Sequence, residues 1–193
     1  MQKRQMLFFL LAVSVAACSE QEAQNAALKS SEKMAAKYLG CDVEKTADLY
    51  FRDATEADVL RIKIKGEPCY EARLHISITT KDGKDLYQYQ APFKPHIAVH
   101  WEDIQVPKDP QAFIDLVLKG STFKRGRDLP ALESEEQFYE KYYNELPTDT
   151  GRYENLRLTE KPLFWHPTHY ERWNYVVYDE KQGRGFVFMR GGL

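Results

Sequence analysis

Leu60-Arg61-Ile62-Lys63-Ile64-Lys65 and, after a break at Gly66-Glu67-Pro68, Arg73-Leu74-His75-Ile76-Ser77-Ile78 decide the fold. Apolar and polar side chains alternate with a period of two, which gives each segment one buried and one solvated face and reads as a β-strand. Lys81-Asp82-Gly83-Lys84 follows as a hairpin turn, because Asp-Gly supplies the positive φ that a type I′ turn requires. Leu86 to Ala91 returns as a third strand with Tyr87 and Tyr89 on one side, ended by Pro92 and Pro95. The result is a three-strand antiparallel meander, to which Ile97–Trp101 can add a strand.

Further along, Trp173–Tyr178 and Gly185–Met189 form a second hairpin across 179–184. Val176, Val177, Phe186, Val187 and Phe188 are apolar on both faces, so this hairpin is expected to be covered on both sides. Leu163–His166 is a strand expected to stop at Pro167. Between meander and hairpin lie two amphipathic helices, the natural cover. One opens at Asp109-Pro110, buries Phe113, Ile114, Val117 and Leu118, and stops at Gly120. The other starts from the Ser134/Gln137 capping box, carries Phe138, Tyr139, Tyr142, Tyr143 and Leu146, and ends at Pro147. A helix over 32–39 with Gly40 at its C-terminus, a short helix over 42–53, a loop over 121–132 and a turn over 148–152 complete the reading. The fold class is α+β: an antiparallel sheet, made of the N-terminal meander and the C-terminal hairpin, covered by two to four helices.

The first eighteen residues differ in kind. Lys3 and Arg4 precede an apolar run, Met6 to Ala17, broken by Ser14. As a helix that run reaches about 18 Å, short of the ~30 Å hydrocarbon core, which fits a signal-peptide h-region better than a membrane span. It ends in Val15-Ala16-Ala17-Cys18, which resembles the lipobox of bacterial lipoproteins. That resemblance covers these residues alone. It implies that Cys18 becomes the first mature residue and carries fatty acyl chains such as palmitate, two or more of which give stable membrane anchoring. With Ser19 following the cysteine, it also implies sorting to the outer membrane, facing the periplasm. The expected organisation is a signal peptide over 1–18, a polar alanine-rich tether over 19–31, and one globular domain over 32–193.

Two cysteines remain, Cys41 and Cys69. In the oxidising envelope an even pair reads as a disulfide. Lys3 and Arg4 are two of the 27 basic residues, so 25 remain against 29 acidic ones after their removal. This mild acidity argues against nucleic acid as a partner.

Candidate chemistry is sparse. His96 and His100 are four apart and His166 and His169 three apart. However, Pro95, Ile97 and Val99 favour extended backbone around the first pair, and Pro167 interrupts the second, so no metal site is assigned. No nucleophile elbow or phosphate loop appears, so catalytic residues are left unassigned and no cofactor is expected. The segment 165–173 concentrates Trp165, His166, His169, Tyr170, Arg172 and Trp173 around a proline. Aromatic planes beside hydrogen-bonding groups are what sugar rings and protein hot spots both require, and these six are the candidate binding residues. The expected role is a non-enzymatic binding or accessory domain for an envelope partner, protein or peptidoglycan. The alternatives are a tethered cell-wall or carbohydrate hydrolase and a lysozyme- or protease-inhibitor-like domain.

Overall fold

Ile62 and Ile76 face each other at the centre of the first sheet, flanked by the pairs Leu60–Ile78 and Ile64–Leu74, and all six side chains are buried. The computed structural model describes residues 21–22, 25–26, 39–97, 106, 108–120, 124–132 and 146–192. Strands β1 (Cys41–Leu49), β2 (Asp58–Gly66), β3 (Arg73–Thr79) and β4 (Asp85–Pro92) form an antiparallel meander in that order. The expected meander therefore has one more strand, and the short helix expected over 42–53 is corrected to β1.

The physical reason lies at Lys45. In β1 the less exposed positions are Cys41, Val43, Lys45, Ala47 and Leu49, alternating with exposed Asp42, Glu44, Thr46 and Asp48. A lysine in the inward series hides the period. Its half-exposed ammonium pairs with Asp115 at 2.6 Å. Directly across the ladder, Asp42 faces Lys65 and Glu44 faces Lys63, at 3.3 and 2.9 Å, so charge complementarity matches the register.

The Cys41–Cys69 disulfide is present, with Cα atoms 4.8 Å apart. It joins the first residue of β1 to the 3-10 turn Cys69–Glu71 between β2 and β3. The Cys69 N–H donates to Leu39 O at 2.8 Å beside it. The cross-link thus pins a strand. Residues 32–38 of the helix expected before it lie outside the described residues, as do Cys18, residues 98–101 of the added strand and residues 134–145 of the second amphipathic helix.

At the β3–β4 turn the Gly83 N–H donates to Thr80 O and Gly83 has φ +90°. The turn is therefore centred on Lys81–Asp82, with the glycine just after it. A bulge at Ile78/Thr79 then lets Leu86 bury itself and turns Tyr87 and Tyr89 inward.

Helix α1 (Lys108–Lys119) buries Phe113, Ile114 and Val117 against the inner face of this sheet. Gly120, at φ +70°, ends it by donating to Leu116 O and Val117 O. Over 124–132 the chain is irregular but for a 3-10 turn at Gly126–Asp128. Leu146–Pro147 is a two-residue strand, β5, so Leu146 ends no helix here. The turn expected over 148–152 is corrected to helix α2 (Thr150–Arg157), whose N-cap Asp149 accepts from the Arg152 N–H at 2.9 Å. Only Tyr153 and Leu156 are buried along it, too few apolar positions for its period to show.

The second sheet has the order β5-β8-β7-β6, with β6 at Phe164–His169, β7 at Arg172–Asp179 and β8 at Arg184–Gly192. Pro167 does not halt β6. It pairs with Trp173, and the ladder resumes at His169–Arg172 after a bulge. A proline is tolerated because β6 is the edge strand and its missing N–H costs no ladder bond on the outer side.

The β7–β8 hairpin is covered on both faces, by the first sheet with α1 on one and by α2 on the other. Phe164 and Val176 join the core of the first sheet and α1. Tyr175, Val177, Phe188 and Met189 pack instead with Tyr153 and Leu156 of α2 and with Leu129 and Leu163. The described part of the chain is a mostly-sheet α+β fold with two cores, one on each face of the second sheet.

Candidate functional site

Alternation along β6 and β7 sorts the six candidate binding residues. The register pairs Trp165 with Tyr175, His166 with Asn174 and Pro167 with Trp173. Trp165 and Trp173 therefore share a face with Tyr175, half-buried against the second core. His166 points the other way and has no exposed surface. His169, Tyr170 and Arg172 are exposed around the Tyr170–Glu171 turn, and Tyr170 is 52 % exposed. The stretch that looks like one aromatic patch in the chain is divided among two faces and a tip. That tip is held to the first sheet's end by the Tyr170 N–H donating to Pro95 O at 2.7 Å.

His166 sits at the seam between the sheets. Its Nδ1 lies 2.9 Å from Pro167 O, and since a carbonyl only accepts, Nδ1 carries the proton. Nε2 is then the acceptor for the Tyr87 hydroxyl at 2.7 Å. Asn174 also hydrogen-bonds Tyr87, and the His166 ring lies 4.5 Å from that of Tyr89. Burial pushes the His166 imidazole down from 6.5 to about 4, because a charged ring has no water to solvate it. Burial likewise raises the Tyr87 hydroxyl to about 12.

A second pair lies beside the first. His96 Nε2 is 3.0 Å from the Tyr89 hydroxyl, which also reaches Thr168 O at 3.3 Å, and desolvation lowers the His96 imidazole too. Tyr87 and Tyr89 come from the first sheet, so both contacts to β6 cross between sheets. Sequence alternation placed the two tyrosines on one side of β4, but nothing in the chain says which histidines they meet.

Open space lies at the other end of the second sheet. A groove of about 360 Å³ runs between α2 and the β7–β8 hairpin, with Arg152, Asn155, Lys161, Tyr178, Lys181 and Phe186 on its walls. The Arg152 guanidinium lies 5.1 Å above the Phe186 ring, and Lys161 pairs with Glu180 at 2.9 Å. Another hollow of about 360 Å³ separates the start of β4 from the β7–β8 turn, along Asp85, Gln88, Gln182 and Arg184. Gly185 lines it as well. A side chain there would meet Phe51 at 2.8 Å, so the glycine admits that ring beneath the strand. Neither hollow was visible in the sequence, because each depends on how α2 or β4 meets the hairpin.

Among the described residues no group of three His, Cys, Asp or Glu side chains is placed to hold a metal ion. His96 and His166 point into packed seams. No family model, curated protein or solved structure matches the chain.

Proposed function

We propose that the chain is a lipid-tethered accessory domain of the bacterial outer membrane, facing the periplasm, that binds an envelope partner, protein or peptidoglycan. The observation that carries this reading is the Cys41–Cys69 disulfide. Such bonds persist in oxidising compartments, and this one lies 23 residues after the lipobox-like Cys18. The groove between α2 and the β7–β8 hairpin supports the binding role: an aromatic floor under an arginine, with polar side chains and both charge signs around it, suits a polar polymer or a protein loop. The exposed tip at His169, Tyr170 and Arg172 offers a second contact.

Mass spectrometry of the protein extracted from its native membranes tests the reading. The expected amino-terminal peptide begins at Cys18 and carries acyl chains, and the Cys41–Cys69 link is intact. A full-length, unmodified, reduced chain recovered from cytosol would remove the tether and the partner together. For the binding role, a photo-crosslinker at Asn155 should capture peptidoglycan fragments or an envelope protein, and one at Lys65 on the outer face of the first sheet should not.

A further inference from the structure

Tyr87–His166 and Tyr89–Thr168 O cross between the sheets, Tyr89 also meets His96 of its own sheet's end, and the first of these contacts cannot persist as it stands once its histidine takes a second proton. The Tyr87 hydroxyl donates to His166 Nε2 while its oxygen faces Asn174. When Nε2 carries hydrogen, the tyrosine can no longer donate to it: the hydroxyl proton has to turn away from the 2.7 Å contact, and a charged ring is left where it has no exposed surface. The other pair is more tolerant. A proton on His96 Nε2 can be received by the Tyr89 oxygen, whose own proton then turns to Thr168 O.

The titratable and charged groups around this seam offer no relief. From β4 come Tyr87 and Tyr89, from the 3-10 turn Lys94–His96 comes His96, and Arg190 of β8 acts on Tyr87. His169 of β6 acts on His96, α1 contributes the Phe113 ring, and β7 contributes neutral Asn174. Among the described residues no carboxylate acts on either histidine, and each histidine's charge opposes the other's.

We propose that the Tyr87–His166 hydrogen bond is a proton-sensitive latch between the two sheets, closed while the imidazole is neutral and released when it takes a second proton. Opening frees β6 and the Tyr170 tip from β4 while leaving the β2–β3 ladder and the second core, which do not touch the pair, in place.

The sign follows from linkage. The closed state refuses a proton until about pH 4, whereas an opened imidazole takes one near 6.5. The closed state is therefore favoured above 6.5 and loses ground as pH falls, by about 100-fold in the opening equilibrium between pH 7 and 4.

Hydrogen exchange of the purified protein, disulfide intact and corrected for intrinsic rates, tests this between pH 7 and 4. Exchange at β4 and β6 should rise by about 100-fold with β2–β3 still protected, and the rise should fall below about 10-fold in His166→Gln. If that variant does not fold, Tyr87→Phe serves. It removes the hydroxyl that favours the neutral ring, so β4 and β6 should exchange faster at pH 7 and show a smaller acid increment. An imidazole of His166 titrating near 6.5 by NMR, an equal acid rise in His166→Gln, an unchanged increment in Tyr87→Phe, or loss of β2–β3 protection in step with β4 and β6 would each overturn the latch.

Discussion

Opening the Cys41–Cys69 bond tests how the first sheet is held. The closed loop separates its ends by 28 residues. Constraining the unfolded chain over that length is worth about 3.6 kcal/mol in the loop-entropy relation. Both sulfurs are buried, so reduction leaves the packing volume in place and isolates the constraint. The double variant Cys41→Ala/Cys69→Ala removes the sulfur volume as well and should lose about 1 kcal/mol more to the cavity. The assay is equilibrium urea unfolding, followed by tryptophan fluorescence, of oxidised, reduced and double-alanine protein. With an m-value of about 2 kcal/mol/M, reduction should lower the midpoint by about 1.8 M. A reduced protein within about 1 kcal/mol of the oxidised one would refute the reasoning. It would mean that the unfolded chain already keeps the β1 end near Cys69 without the bond.

Three further substitutions follow from single contacts. Gly192 has φ +115°, and a Cβ there would collide with the Glu171 carbonyl oxygen, so Gly192→Ala should cost about 3 kcal/mol or more by thermal unfolding; a loss below 1 kcal/mol would show that the β6–β7 turn yields freely. Asp58 is fully buried and accepts from Arg52 Nε at 2.7 Å and from the Arg52 N–H at 3.1 Å, so Asp58→Ala should cost about 3 kcal/mol by thermal unfolding, since the guanidinium keeps only the more exposed Glu56 at 3.2 Å and the Arg52 N–H loses its acceptor. Asp149→Ala removes the cap of α2 and should cost about 1 kcal/mol, read as a lowered urea midpoint with an unchanged m-value.

The alternation through Ile62 and Ile76 announced β2 and β3, because a half-buried sheet imposes a period of two that flanking lysines and arginines make plain. Gly120 announced its helix end for a similar reason: the left-handed backbone there excludes most other residues. The failures have equally local causes. Lys45 broke the pattern of β1 because its charge is satisfied by Asp115, seventy residues away. Helix α2 has an N-cap but only two buried side chains, so propensity and cap without a stripe read as a turn. Pro167 read as a stop because edge position, which makes proline harmless, is a property of the sheet and not of the strand.

The candidate site divides along the same line. Residue types and spacing picked out 165–173 as rich in aromatics and histidines, and fixed the two-residue alternation within it. Which face holds Trp165 and which buries His166 depends on the β6–β7 register and on what lies above and below. The sequence alone determined the local periods, the turn glycines and the pair of cysteines, since these follow from backbone geometry and side-chain chemistry within a few bonds. Only the tertiary structure decided that His166 meets Tyr87 from 79 residues away and that Arg152 shelters Phe186, because contacts between distant segments are set by packing.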